Sequence, residues 1–216
     1  MWLAAGESLG HIGGPLSHVY FPVTATIALV AQADEVAGLQ ITLIGREGIF
    51  ASPVMSGATV SPLNARVRSS GWAWRLGTDV FQAELTRSTR LRGIVDLYFH
   101  VLLSEAFRAS ACARFHGVQA RLARWLLTMA DGVGSHALPL KAQVMADMLG
   151  VRRAVVTLAM TRLERRGLIR YSPGLVSIVD LQALGDNACS CYRWSHQLRQ
   201  TMLRREAELQ PVGAED

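Results

Sequence analysis

The 216-residue chain has few cysteines, few charges and almost no lysine. Its three cysteines, Cys112, Cys189 and Cys191, do not form a disulfide framework, which fits a reducing compartment. No run of about 18 apolar residues occurs, so no membrane-spanning helix and no membrane partner are expected. The first residues also lack the basic start and apolar core of a signal peptide. These absences favour a cytoplasmic protein.

Histidine is sparse in the first half of the chain, where only His11 and His18 precede residue 100. A cupin-like enzyme needs two or three histidines and a carboxylate on neighbouring strands, and no His-x-His pair is present. No nucleophile, base and acid set is visible either. We therefore expect no catalytic residue, no metal ligand set and no enzyme, although haem ligation by His11 or His18 stays open.

Apolar residues make up 50% of the chain and charged residues 18%, which is typical of a globular protein. The charges are unevenly distributed. Residues 1–87 carry five arginines and six acidic residues, whereas residues 88–216 carry seventeen basic and eleven acidic residues. A near-neutral first part and a basic second part suggest separate roles for the two.

The first part, residues 1–87, contains short β-rich runs separated by glycine, proline, asparagine or aspartate, including Asp34. Runs at this spacing predict a sandwich or small barrel. The predicted strands are residues 19–21, 25–31, 39–44, 65–67 and 72–76, followed by a short helix at 79–85. Residues 88–116 are predicted to hold one long helix, and residues 117–216 a third unit.

The predicted long helix, from Thr89 to Phe115, is apolar on two faces. One stripe has the alternating four- and three-residue spacing of a coiled-coil seam; its members are Val95, Phe99, Leu102, Ala106, Ala109 and Ala113. A second stripe, expected to face the strands, contains Leu91, Ile94, Tyr98, Val101 and Glu105. Two apolar faces need two partners, so the pattern favours a homodimer seam over burial of both faces within one chain.

Two short helical patterns meet at Gly150 and precede a hairpin pattern, which is the order of a winged helix-turn-helix. The helices are predicted at residues 141–149 and 152–166, and the wing strands at 168–171 and 175–179. The predicted buried residues are Val144, Met148 and Leu149 in the first helix, and Val155, Val156, Ala159 and Leu163 in the second. Residues 138–179 hold seven basic and two acidic residues, a concentration typical of DNA binders.

The outward face of the second helix supplies the candidate base contacts, which are Arg153, Ala154, Thr157 and Leu158. Arg153 lies in the first turn, where its guanidinium can bind guanine O6 and N7. Phosphate contacts are assigned to Lys141, Gln143, Arg152 and Arg170, because such contacts fix register without reading sequence. At the end of the helix, Arg162, Arg165 and Arg166 either complement the helix dipole or contact DNA.

Several strings resemble the Crp/Fnr superfamily of bacterial transcription regulators. They are HVYFP at 18–22, LIGREG at 43–48, RLARWLL at 121–127, MLGVRRA at 148–154, GLIRY at 167–171 and ACSCY at 188–192. The resemblance implies an α+β fold with an antiparallel, cyclic-nucleotide-binding-like β-roll, a dimerisation helix, a hinge at His116-Gly117 and a carboxyl-terminal winged helix-turn-helix. It also implies a homodimer on a near-palindromic DNA site, with RNA polymerase as a further partner. Family members usually have a short helical lead-in before the strand that is expected to begin near Glu7 here; either that piece is missing or the start codon is annotated downstream.

The cyclic-nucleotide site of the family departs from its pattern here. Members that bind cyclic AMP carry a Gly-Glu pair for the ribose and an Arg-Ser or Arg-Ala pair for the phosphate. The matching stretches read GIFASP at 48–53 and PLNA at 62–65. A buried phosphate without a paired cation is costly, and strand alternation directs Arg66 away from the site. Cyclic AMP is therefore not an expected ligand, and no cofactor is predicted.

The cysteines give no metal site by sequence reasoning. Cys112 lies near the predicted seam, where it either forms an intersubunit disulfide or is a buried small residue. Cys189 and Cys191 fall in a predicted final helix over residues 181–209, interrupted near Gly185, on which they point about 200° apart. An iron–sulfur cluster needs about four thiolates close together and is not expected. Residues 211–216 are predicted to be disordered.

The sequence therefore predicts a dimeric, sequence-specific DNA-binding transcription regulator whose recognition helix is residues 152–166. The alternative is a protein-interaction module that retains the fold but has lost specific DNA binding. The concentration of arginine and the outward position predicted for Arg153 favour the regulator.

Overall fold

The computed structural model describes residues 1–32, 38–50, 54 and 57–208, with side chains described as far as Met202. The amino-terminal strands are β1 (Trp2–Leu3), β2 (Ser8–Gly10), β3 (His18–Pro22), β4 (Thr26–Ala31), β5 (Leu39–Ile44), β6 (Asn64–Ser69) and β7 (Gly71–Gly77). The five predicted strands correspond to β3–β7, and the strand expected near Glu7 corresponds to β2; within the described residues the short β1 was missed. The predicted turn at Asp34 and the predicted disorder at 211–216 lie outside the described residues.

The strands form two antiparallel sheets, ordered β1-β7-β3 and β2-β6-β4-β5. Strand β4 is central to the second sheet because it pairs with both β5 and β6. The two sheets enclose an apolar core to which Ile27, Ile44 and Val67 contribute. The antiparallel β domain expected for the first part of the chain is thus confirmed.

Two helices follow the strands, α1 (Thr78–Arg87) and α2 (Thr89–Phe115). The Ser88 hydroxyl accepts a hydrogen bond from the Leu91 N–H at 3.1 Å and so caps the start of α2. The 27 residues of α2 make it roughly 40 Å long. Its bounds match the predicted helix.

The burial pattern of α2 corrects two members of the predicted dimer seam, and the seam itself stays a prediction. Val95 is fully buried in the β core, and Ala109 is only 5% exposed within the single chain. These two residues are therefore unavailable to a second copy, because their own chain already covers them. The other seam residues, Phe99, Leu102, Ala106 and Ala113, are half-buried. The second stripe does face inward: Tyr98, Val101 and Glu105 are buried, and Leu91 and Ile94 are half-buried.

The carboxyl-terminal part begins with α3 (Val118–Val133), after a break at His116-Gly117. It continues with β8 (Ala137–Leu138), α4 (Ala142–Leu149), α5 (Arg153–Arg165), β9 (Ile169–Ser172) and β10 (Leu175–Ile178). The three strands form a third antiparallel sheet in the order β8-β10-β9, and Gly174 makes the β9–β10 turn with a φ of 86°. This arrangement is the predicted winged helix-turn-helix.

The apolar faces of α4 and α5 differ in part from the prediction. In α4 Met145 and Ala146 are fully buried and Leu149 is buried as predicted, whereas Val144 and Met148 are only half-buried. In α5 Met160 is buried, whereas Val155 is 41% exposed. A helix repeats every 3.6 residues, so neighbouring apolar positions compete for the core and packing decides between them.

The predicted final helix is two helices, α6 (Leu181–Asn187) and α7 (Cys191–Glu208). The interruption lies at residues 188–190 and not near Gly185, which is inside α6. Helix α7 runs back along α2, where the Arg108 guanidinium lies 4.3 Å from the centre of the Trp194 ring. Met202 of α7 reaches the core of the β domain.

The β domain and the winged helix-turn-helix share buried surface. Ala28, Val30 and Leu43 of the β domain belong to the same apolar cluster as the core of α3, α4 and α5. Arg68 of β6 also donates a hydrogen bond to the Met148 sulfur at 3.1 Å. None of the described helices has the length and apolar character needed to cross a membrane.

Candidate nucleic-acid interface

The turn between α4 and α5 is held by backbone geometry and one buried arginine. Gly150 adopts the left-handed conformation with a φ of 64°, which strains any side-chain-bearing residue. The Val151 N–H donates to the Ala146 carbonyl at 3.1 Å. Arg121 of α3 donates from Nη2 to the Leu149 carbonyl at 2.5 Å, and burial lowers the pKa of its guanidinium. Sequence reasoning missed this role of Arg121.

The four candidate base contacts all lie on the solvent-exposed side of α5. Arg153, Ala154, Thr157 and Leu158 are exposed, and Leu158 is 52% exposed despite its apolar side chain. The buried side of α5 consists of Val156, Ala159, Met160 and Leu163. At 100° per residue, Ala154, Leu158 and Arg165 lie opposite that buried side. Arg165 therefore shares the outward surface, which its position near the helix end did not indicate.

Thr157 has a defined hydrogen-bonding role within α5. Its hydroxyl donates to the Arg153 carbonyl at 3.1 Å, and Thr161 repeats this contact one turn later. The Thr157 hydroxyl proton is thus used inside the helix, which leaves the oxygen lone pair and the methyl group for an external partner. Such a side chain suits a thymine methyl group or a base amino group.

The four candidate phosphate contacts are also exposed and come from three elements. Lys141 is the N-cap of α4, Arg152 is the N-cap of α5 and Arg170 lies on β9 in the wing. Gln143 donates from Nε2 to Asp147 Oδ1 at 2.7 Å, so its amide already has one partner.

The electrostatics of this surface are strongly positive. All seven basic residues between 138 and 179 lie at the surface, and none of them forms an ion pair with another described residue. The two acidic residues are held by other groups, Asp147 by Gln143 and Glu164 by the Tyr171 N–H at 2.8 Å. The surface therefore presents six guanidinium groups and one ammonium group with little opposing charge, and both groups bind phosphate.

The β domain contains a cavity of about 200 Å³ between its sheets and α2. It is lined mainly by apolar side chains, among them Leu29, Phe50, Leu63 and Phe99, and no charged residue lines it among those the structure describes. Arg66, the one cation considered for an inward position, is exposed on β6 between the buried Ala65 and Val67. His11 is exposed and His18 is half-buried.

A charged network joins the β domain, α2 and α7. The buried Glu105 accepts hydrogen bonds from Thr42 Oγ1 at 2.6 Å and Arg199 Nε at 2.7 Å, and Arg199 Nη1 also contacts Glu47 at 3.2 Å. Burial acts to lower the pKa of Arg199, but the charges of Glu105 and Glu47 raise it above the ordinary value. Sequence reasoning missed this network because its members are far apart in the chain.

The cysteines are placed differently from the prediction. Cys189 lies in the connection before α7 and Cys191 is the first residue of α7, so the two do not point in opposite directions from one helix. Their thiols, the Cys112 thiol and the His116 ring lie together. The signal for this cluster was present as Cys-x-x-x-His at residues 112–116 and Cys-x-Cys at 189–191.

Comparison with known proteins identifies the class of this molecule. Residues 120–186 match the family described as the Crp-like helix-turn-helix domain. Among solved structures, FixK2 from Bradyrhizobium japonicum is similar at a TM-score of 0.74 and 13% identity, covering 88% of this chain and 96% of FixK2. A CRP-family transcriptional regulator from Thermus thermophilus is similar at a TM-score of 0.72 and 19% identity, with coverages of 87% and 96%.

The c-di-GMP-responsive global regulator CLP of Xanthomonas campestris is similar at a TM-score of 0.69 and 15% identity, covering 83% of this chain and 93% of CLP. No curated protein sequence matches the chain. Domain and fold together define a DNA-binding transcription regulator. The resemblance to the Crp/Fnr superfamily is confirmed: residues 120–186 are a Crp-like helix-turn-helix domain, and the chain has the Crp/Fnr fold.

Proposed function

We propose that the protein binds a near-palindromic double-stranded DNA site as a homodimer and regulates transcription by inserting α5 into the major groove. The observation that carries this proposal is the exposed, cationic surface of the winged helix-turn-helix, on which seven basic residues have no acidic partner among the described residues. An α-helix fits the major groove, and positive charge around it neutralises the phosphates on both sides.

Within this proposal the residues of α5 have distinct roles. Arg153, at the first turn, is the candidate for a bidentate guanine contact, and Thr157 contacts a neighbouring base edge. Ala154 and Leu158 offer apolar surface to thymine methyl groups. Lys141, Arg152 and Arg170 bind phosphates on either side of the groove, joined by Gln143 once its bond to Asp147 exchanges. The outward position of Arg165 supports a DNA contact for this residue too.

The homodimer is supported by apolar surface on the outer side of α2. Leu103, Phe107 and Phe115 are 43%, 66% and 78% exposed. With the half-buried Phe99 and Ala106, Leu103 and Phe107 form an apolar stripe that the rest of the chain covers only in part; Phe99, Leu103 and Ala106 also line the cavity of the β domain. We call these four positions, Phe99, Leu103, Ala106 and Phe107, the outer stripe. Pairing of two outer stripes about a twofold axis would give a symmetric dimer with two recognition helices, as a near-palindromic site requires. DNA and the further partner, RNA polymerase, are expected in the cytoplasm.

The apolar cavity supports a regulator that does not respond to cyclic AMP. A bound cyclic phosphate would face Leu63 and Phe50 without a paired cation, and burying such an anion costs several kcal/mol at least. Isothermal titration calorimetry with cyclic AMP is expected to give no isotherm at micromolar concentrations. A saturable isotherm would refute this part of the proposal.

The test of DNA binding is fluorescence anisotropy with genomic fragments over a range of salt concentrations. We expect selection of one sequence with a twofold-related pattern, and a steep fall in affinity with salt as counterions are released. The protein-interaction module predicts no selected sequence and no tight complex at low salt. That outcome would contradict the regulator and favour the module.

A further inference from the structure

Four metal-ligating side chains meet where α2 ends and α7 begins. Cys112 is in the last turn of α2, His116 is the C-cap of α2, Cys189 is in the connection from α6, and Cys191 opens α7. Their sulfur and ring-nitrogen atoms all lie within 4.8 Å of one another. The three thiols are buried and the His116 side chain is half-buried. We call this set the Cys3His cluster.

Local structure explains why these residues converge although 77 positions separate Cys112 from Cys189. Cys112 and His116 are four residues apart, so they share one face at the end of a helix. The break at residues 188–190 turns the chain, and the Cys189 N–H donates to the Ala120 carbonyl of α3 at 3.3 Å. The Tyr192 N–H then donates to the Cys189 carbonyl at 3.0 Å. This turn directs both thiols of the Cys-x-Cys pair toward α2.

Two of the distances within the cluster are close to those around a single tetrahedral ion. The Cys112 and Cys189 sulfurs are 3.5 Å apart, and the Cys191 sulfur is 3.6 Å from His116 Nδ1. Zinc bonds of about 2.3 Å to sulfur and 2.0–2.1 Å to nitrogen imply tetrahedral edges of roughly 3.8 Å and 3.5 Å. An iron–sulfur cluster distributes its thiolates over several iron ions, which requires a wider arrangement.

The surrounding charge also suits such a site. Three thiolates and one Zn²⁺ carry a net charge of −1, which needs a compensating cation in a buried position. Arg121 and Arg124 of α3 lie within coulombic range of the thiols. Arg124 Nε is buried and has no hydrogen-bond partner among the described residues. A negatively charged metal centre gives the buried Arg121 and the half-buried Arg124 a counter-charge.

We propose that the Cys3His cluster binds one Zn²⁺ as a structural site that fastens α7 to the end of α2 beside the hinge. Three sulfurs and one imidazole nitrogen fill all four positions, which is the pattern of structural and not catalytic zinc. The ion would join the two segments that lead into and out of the DNA-binding domain, α2 before it and α7 after it.

The test begins with metal analysis of the full chain, purified under reducing conditions without a histidine tag. We expect one zinc per chain, and X-ray absorption with about three sulfurs at 2.3 Å and one nitrogen at 2.0–2.1 Å. Co²⁺ replacing zinc should give the intense visible bands of a tetrahedral thiolate site. Iron with sulfide, or a Cys112–Cys189 disulfide with no bound zinc, would overturn the proposal.

Histidine variants supply a matched comparison because His116 is in the cluster and His100 is exposed on α2. H116Q should lose at least tenfold in zinc affinity, measured by competition with a chromophoric chelator, whereas H100Q should bind as the wild type. Equal affinity in both variants would exclude His116 as a ligand. If H116Q folds poorly, the wild-type chain can be treated with an alkylating reagent with and without added zinc. Zinc should protect the three thiols from alkylation, and thiols that stay reactive in its presence would refute the site.

Discussion

At the residue scale, the outward side of α5 combines one strong hydrogen-bonding group with a mostly apolar surface. Arg153 is the exposed cation of the first turn, and Ala154, Thr157 and Leu158 follow it along the helix. The sequence identified these four residues because they fall on the side of the helix opposite the predicted core positions. It misplaced Val155 and overlooked Met160, because both are apolar and only packing distinguishes them.

Replacing Arg153 by alanine should remove the bidentate contact to one guanine in each half-site. We expect a loss of about 1–3 kcal/mol per half-site and relaxed preference at a single base pair, measured by anisotropy on a set of singly substituted sites. Arg152→Ala is the matched control, since this neighbouring arginine is assigned to a phosphate. R152A should weaken all sequences alike and reduce the salt slope by about 1; a uniform loss in R153A would make Arg153 a phosphate contact.

Arg199 offers a second prediction at this scale because it neutralises a buried carboxylate. Arg199→Met leaves Glu105, whose side chain is 8% exposed, without its cation and should destabilise the fold by roughly 3 kcal/mol in urea unfolding. Adding E105Q to R199M should recover part of this loss. Arg92→Ala breaks an ion pair whose side chains are 50% and 54% exposed, and it should cost less than about 1 kcal/mol. Equal effects of R199M and R92A would contradict the stabilising role of the network.

At the element scale, the helices and most strands could be predicted because their patterns are long or strongly β-rich. The bounds of α2 and the order α4, α5, wing follow directly from such patterns. The break before α7 could not be predicted, since Ala188-Cys189-Ser190 is no stronger a helix breaker than Gly185. At this break the Cys189 N–H donates a hydrogen bond to the Ala120 carbonyl of α3, which is a tertiary contact. Because the break was not predicted, the prediction that Cys189 and Cys191 point apart on one helix was wrong.

The same limit applies to α2, where two apolar stripes compete and sequence spacing alone selected one that includes Val95.

Phe107→Glu tests the outer stripe instead. Two symmetric copies of a buried phenylalanine contribute about 3 kcal/mol or more, so F107E should weaken the dimer roughly a hundredfold in sedimentation velocity. Trp74→Glu is the control because Trp74 is 73% exposed on β7, away from α2. A dimer unaffected by F107E, or equally weakened by W74E, would argue for a different interface.

At the scale of the whole molecule, the two parts of the chain do not pack independently. Leu43 and Val30 of the β domain share a core with α3 and α4, and Met202 of α7 enters the core of the β domain. The sequence predicted a domain boundary at residue 116, between α2 and α3. Each of the two large apolar cores, however, contains residues from both sides of this boundary. Long-range packing of this kind leaves no local signal in the sequence.

The proposed zinc site has a consequence at this scale. A ligand that binds only the folded state at a hundredfold excess over its Kd adds about 2.7 kcal/mol of stability, which is roughly 5–10 °C in Tm for a chain of this size. A metal chelator should therefore lower the Tm of the wild type by that amount in calorimetry. H116Q should already melt lower and respond little; a wild-type Tm insensitive to chelation would contradict a stabilising metal.

The return of α7 along α2 gives the DNA-reading unit two attachments, one through the His116-Gly117 hinge and one through the turn at Cys189. These two attachments add to the surface that the unit buries against the β domain, so α5 cannot move independently of the rest of the chain. In a symmetric pair the attachments then fix the distance between two recognition helices, which DNA requires to be about 34 Å. A small displacement at either anchor would move both helices into or out of that spacing together.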